Sequence, residues 1–212
     1  MRNREKHFGE SARHYMTLLF VCLIFVPVWF SASAHAAGNR SVLREYIDAL
    51  RKHDVGAQFR FYTSDFVFIN GESRTRADRQ MHANYRAFEA ATHTHWSYSI
   101  IHETPNSIEI QLIEDNDFYR ALGVGPATMD VVYYFRGHHI CASKTVSSNH
   151  VQPYQPALMA FKEWVLRERP DEANEVMKDE NPIFDSHTAP TLMRLVRQWN
   201  HQPKSSAWFP RR

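Results

Sequence analysis

The chain has 212 residues, 43% of them apolar, with 25 lysines and arginines against 23 aspartates and glutamates and a net charge of +2. So even a balance gives no general field to draw in nucleic acid or anionic lipid, which excludes charge-driven binding to either. The apolar fraction suffices for one domain with an extension.

The mild basicity belongs to the first segment. Arg2, Arg4, Lys6 and Arg13 precede an apolar run from Leu18 to Phe30, and Ala34-His35-Ala36 has the small-x-small pattern of a signal-peptidase site. Residues 1–36 are therefore expected to be an export signal cleaved after Ala36, which makes the protein periplasmic or secreted. Pro27 interrupts a run shorter than the roughly twenty residues that span a bilayer, so the alternative is a retained anchor, the one case in which a membrane becomes a partner. The leader holds four of the 25 basic and two of the 23 acidic residues, leaving 21 of each. Cys22 goes with it, so Cys141 has no partner for an intramolecular disulfide and reads as a buried, inert thiol.

Beyond the leader, Leu43, Tyr46, Ile47 and Leu50 recur at helical spacing until Asp54 and Gly56 break the pattern, so a first helix ends near His53. Phe59 and Tyr62 are three apart, as in a second short helix, and Phe66 and Phe68 then alternate with Val67 and Ile69 in a strand that ends at Asn70-Gly71. Thr75-x-x-Asp78 reads as a capping box with Asp in place of Glu. It opens a third helix with Met81, Tyr85 and Phe88 on one face. From Thr94 to His102, Trp96, Tyr98 and Ile100 alternate with His95, Ser97 and Ser99, and a further strand runs from Ile108 to Ile113. Between strands, Asn116 or Asp117 can cap a short helical turn in which Phe118 and Leu122 are four apart, and Gly123 can close it in the left-handed region. A last hairpin is read from Asp130 to Arg136 and from His139 to Val146 around Gly137, with Val131, Tyr133 and Phe135 sharing a face.

Tyr46 on the first helix, Asp54 at its end, the Tyr62-x-x-Asp65 step and the turn after the strand resemble the opening of the nuclear transport factor 2-like superfamily, which includes ketosteroid isomerase and the SnoaL-like cyclases. The resemblance covers Ser41 to Val146. It implies an α+β fold in the shape of a cone, a strongly bent and mostly antiparallel sheet wrapped around N-terminal helices, with a pocket between sheet and helices. The corresponding division is a signal at 1–36, a cone domain at 37–150, a C-terminal helical extension at 151–201 and a mobile tail at 202–212. The string from Glu114 to Gly123 also resembles a segment of exported members of this superfamily.

Isomerase chemistry of that family needs a carboxylate base and two neutral donors. Tyr46 fits one donor position. Where the isomerases carry their base this chain has Asn70, whose amide accepts no proton at useful pH. The second donor position falls on Val131, with Asp130 on the opposite face by strand alternation. Ketosteroid isomerisation is therefore not the expected reaction. The favoured reading is an exported protein that binds a small apolar or aromatic molecule in a cone lined by Tyr46, Phe68, Trp96 and Tyr133, with Asn70, Asp117 and Tyr119 completing the site. Two alternatives stay open: a lyase or isomerase acting by proton transfer, with Asp65 and Glu114 as weak candidates beside Glu72 and His139, and a scaffold that uses the sheet face, as in a homodimer. No cofactor is implied. His93-x-His95 would place two imidazoles on one strand face without a third ligand, so no metal site is expected either.

At the C-terminal end, Leu158, Phe161, Trp164 and Val165 mark a helix that stops before Pro170. Pro170 opens a second, and Thr188 caps a third with Leu192, Leu195, Val196 and Trp199 as its stripe. Three amphipathic helices need a surface to cover: the outside of the sheet, the pocket mouth or a dimer seam.

Overall fold

The computed structural model describes residues 38–148 and 151–202. The proposed leader and the tail beyond Gln202 lie outside the described residues. Helix α1 (38–51) turns Leu43, Tyr46, Ile47 and Leu50 inward. His53, at φ 54°, breaks it, and the Asp54 carboxylate accepts from the Ala57 amide at 2.8 Å to start α2 (Val55–Arg60). Tyr62 belongs to the next strand rather than to this helix. It opens β1 (Tyr62–Asn70) and stacks on Phe66 at 3.9 Å.

Gly71, at φ 58°, turns the chain into β2 (Ser73–Arg76), a short exposed strand that the sequence reading missed because all its residues are polar. Thr75 pairs with Phe68 in that ladder and is not a cap. Asp78 is the N-cap itself, accepting from the Met81 amide at 2.7 Å, and α3 (Arg79–Ala91) follows. The chain continues through β3 (His95–Thr104), β4 (Ser107–Asp115), α4 (Asp117–Leu122), β5 (Ala127–Arg136) and β6 (His139–Ser148).

The six strands form one sheet in the order β2-β1-β6-β5-β4-β3, antiparallel except for the β1–β6 pair. Register shifts at Tyr62/Val67, Ile100/His102, Asp130/Val131 and Tyr134/Phe135 mark where bulges bend it. On β4 the even residues Ile108, Ile110, Leu112 and Glu114 are buried, as are Val131, Tyr133 and Phe135 on β5. This face receives α1, Tyr62, Phe66 and Trp96. An α+β fold with a mostly antiparallel sheet and helices against it is the arrangement the resemblance implies.

The C-terminal helices α5 (Val151–Glu168), α6 (Pro170–Val176) and α7 (Ala189–Asn200) pack around α4 into a second core of Phe118, Leu122, Phe161, Val165, Leu192 and Leu195. Between α6 and α7 lies a small hairpin, β7 (Met177–Lys178) with β8 (Asn181–Pro182). Thr188 precedes α7, but its hydroxyl donates to the Ile183 carbonyl instead of capping the helix. Its own backbone is already helical, at φ −83° and ψ −22°, so the side chain is turned back toward the preceding loop. Among the described residues no helix is long and apolar enough to cross a membrane.

Candidate functional site around α3

Met81 was expected on the buried face of α3, yet it is 54% exposed. The stripe that faces inward is His82, Arg86 and Glu89, with Tyr85 and Phe88 beside it. The helix is rotated by about one position relative to its apolar pattern, because His82 stacks on Phe68 at 5.2 Å and Glu89 meets Trp96. Two hollows open along this helix. One, of about 160 Å³, is lined by Met81, His82, Tyr85 and Arg86. The other, of about 520 Å³, lies between Asp78, Met81, Asn84 and Tyr85 on one side and Ile183 and Phe184 on the other. They share Met81 and Tyr85. The loop before α7 thus forms one wall of the larger hollow, so the C-terminal segment helps to shape its mouth. A third hollow, of about 340 Å³, lies apart from them, between Phe59, Tyr62, Thr63 and Phe66 on one side and Arg76 and Ala77 on the other.

Behind the small cavity the protein buries charge. Arg86 and Glu89, three apart on α3, form an ion pair in which Glu89 is 1% exposed. The guanidinium lies 5.5 Å from the Tyr85 ring and 5.7 Å from the Trp96 ring, and the Trp96 indole donates to Glu89 at 3.4 Å. Burial alone would lower the Arg86 pKa, but Glu89 and the surrounding tyrosines outweigh it and raise it. Arg86 Nε and Glu89 Oε1 are buried without a hydrogen-bond partner among the described residues. His82 has its pKa lowered, first by burial and then by Arg86, so it is neutral at pH 7.

Glu114, on the same face of the sheet, has its pKa pushed up to about 7, by burial first and by Glu89 second. Arg86 and hydrogen bonds from Tyr119 and Asn116 hold back part of that rise. Asn116 has two tasks: its amide nitrogen donates to Glu114 at 3.1 Å, and its oxygen accepts from the Tyr119 amide at 2.8 Å as the cap of α4. Gly123, at φ 76°, closes that helix in the left-handed conformation. Nearer α1, the Tyr46 and Tyr62 hydroxyls are 2.9 Å apart, and the Tyr133 ring packs on Tyr46 at 5.5 Å. Burial raises the pKa of all three, which keeps them as neutral donors.

Of the residues singled out from sequence, Tyr46 and Tyr133 meet in that tyrosine cluster, Trp96 reaches the ion pair, and Glu114 joins Tyr119. Phe68 is half-buried against His82. Three others do not come together with them. Asn70 sits exposed at the end of β1, paired with Ser73 and Thr145. Asp65 is exposed and ion-paired with Arg136 at 3.0 Å, its pKa lowered first by Thr63 and then by Arg136. Asp117 is bound to His93 and Arg120, each at 2.7 Å, and these in that order lower its pKa. None of the three lines any of the three hollows. His93 is in a turn at φ 53°, not on β3, so it does not share a strand face with His95.

The sequence reading missed Arg86, Glu89 and His82. A signal was present: Arg86-x-x-Glu89 places opposite charges one helical turn apart beside Tyr85 and Phe88, the arrangement of a pair able to go under together.

No protein-family model and no curated protein matches this chain. Solved structures do. An NTF2-like protein of unknown function from Cytophaga hutchinsonii is 12% identical, with 55% of this chain and 95% of that one covered at a TM-score of 0.41. A Mycobacterium tuberculosis protein in complex with estradiol-17β-hemisuccinate is 13% identical, with 52% and 93% covered, also at 0.41. A protein with a ketosteroid isomerase-like fold from Catenulispora acidiphila, in complex with trimethylamine, is 13% identical, with 51% and 85% covered at 0.41. These are likenesses of fold over about half of this chain, and the ligands are those proteins' own.

Proposed function

We propose that this protein takes up a small, mainly apolar or aromatic molecule through the cleft beside α3, and that it acts outside the cytosol after removal of residues 1–36. One observation carries the binding reading: two hollows of about 520 and 160 Å³ share Met81 and Tyr85, Ile183 and Phe184 give the larger an apolar wall opposite Asp78, Gln80 and Asn84, and the smaller adds His82 and Arg86. That combination of volume, apolar lining and few polar groups is what small-molecule sites have in common. Phe68 supports His82 from behind, and Trp96 holds Glu89, so these two act on the site through its lining residues; Tyr46, Tyr119 and Tyr133 stiffen the interior around it.

Native mass spectrometry of protein made with its own leader in its own host tests both parts. The expected species begins at Ala37 and carries one small molecule, which Tyr85→Ala and Met81→Arg release. An intact leader in the membrane fraction overturns the export proposal. An empty species, unchanged by either substitution, overturns the binding proposal.

A second reading, proton transfer by a lyase or isomerase, is favoured by Glu114. A carboxyl group with a pKa of about 7 exchanges protons at neutral pH. If the captured molecule is a mixture of substrate and product, Glu114→Gln is expected to stop its interconversion, and Asp65→Ala to leave it running. An unchanged rate in Glu114→Gln rejects this reading.

A further inference from the structure

We propose that Glu89 is the specificity-determining residue of the α3 site: by neutralising Arg86 it selects uncharged ligands that offer a hydrogen-bond acceptor, such as a carbonyl oxygen, over anions of the same shape. This rests on the reading that the α3 hollows are a binding site. The small cavity, at about 160 Å³, has the size that accepts a single aromatic ring. Two of its lining residues, Arg86 and His82, can donate hydrogen bonds to an incoming acceptor. Arg86 Nε is buried without a hydrogen-bond partner among the described residues, and the imidazole of His82 is stacked on Phe68. A guanidinium at the end of an apolar cavity would by itself attract a carboxylate.

The surroundings cancel that attraction. Glu89, from the same helix, has its carboxylate on the guanidinium and is 1% exposed, so water does little to screen it. Glu114 faces the pair from β4 as a second acid. His53, after α1, lies 3.5 Å from the same Glu89 oxygen that Arg86 contacts. The other groups facing inward are neutral tyrosines: Tyr46 from α1, Tyr62 from β1, Tyr85 from α3, Tyr119 from α4, Tyr133 from β5 and Tyr154 from α5. Asp78 adds another carboxylate at the mouth. An entering anion would meet one cation and two or three carboxylates. A neutral carbonyl can still accept from Arg86 or His82 without adding charge.

Three probes of one shape separate the elements of this inference: toluene, acetophenone and benzoate, titrated by calorimetry or NMR into the mature chain at pH 8. Acetophenone is expected to bind about tenfold or more tighter than toluene, and benzoate no tighter than toluene. Glu89→Gln is expected to invert the order, with benzoate ahead of acetophenone. A second arm needs no substitution, in case that variant does not fold. Between pH 8 and pH 6 Glu114 takes up a proton, so benzoate should gain several-fold in affinity while acetophenone stays level. Benzoate binding as tightly as acetophenone at pH 8, or a benzoate affinity that ignores pH, overturns the inference while toluene binding preserves the binding site. If toluene and the other two all fail to bind, the site reading falls and the inference with it.

Discussion

The core under the C-terminal helices and the core under α1 and α3 are built on different terms. The first packs Phe118, Phe161, Val165, Leu192, Leu195 and Val196, all fully buried and all apolar. The second brings in the hydroxyls of Tyr46, Tyr62 and Tyr133, with the Arg86–Glu89 pair and Glu114 at its border. A dry core gains stability with every methylene it buries, whereas buried charge costs desolvation that pairing only partly returns. The α3 hollows thus adjoin the region that buries charge and not the dry one.

The largest effects should break the dry side. Phe161→Ala removes a fully buried ring that touches Trp164 and Trp199. A loss of about 3–5 kcal/mol is expected in urea unfolding. A loss below about 1 kcal/mol would mean that the helical core is not the stabilising half.

On the polar side, Glu89→Leu strands the Arg86 guanidinium and should also cost about 3–5 kcal/mol. Adding Arg86→Met should restore most of that loss. A double variant as unstable as the single one would show that the two residues do not act as a pair.

Glu114 makes the comparison depend on pH. Its folded-state pKa of about 7 lies above the usual 4.5, so its contribution to stability is fully present below about pH 4.5 and is lost as pH rises through 7. The span is on the order of 3 kcal/mol. Glu114→Gln should flatten the stability curve across that window and exceed the wild type at about pH 8. Parallel curves for the two proteins would reject a raised pKa.

Smaller changes sharpen the border between the cores. Asn116→Ala removes the cap of α4 and should cost about 1 kcal/mol. It should also move the Glu114 titration further up, because the lost hydrogen bond favours the charged form. Arg136→Ala, at the exposed pair with Asp65, should leave thermal unfolding unchanged.

These contrasts also explain what could be read in advance. The α4 block was legible because each of its signals is local: Asn116 caps, Phe118 and Leu122 pack one turn apart, and Gly123 closes. Strand alternation likewise assigned Val131, Tyr133 and Phe135 to a buried face. The charged part of the site was not legible. Whether Arg86 and Glu89 are buried depends on Trp96, Phe68 and Glu114, which reach α3 from three different strands. Apolar periodicity alone therefore misplaced Met81 and overlooked His82.

The parallel pairing of β1 with β6 sets an order on assembly. Residues 62–70 emerge early from the ribosome, but their partners at 140–145 follow some seventy-five positions later. Until then one side of β1 has no ladder, and a large loop must be closed to complete it. The earliest strand to be synthesised in this sheet is thus among the last to be secured, and a nascent chain halted before residue 140 would present that bare edge to its neighbours.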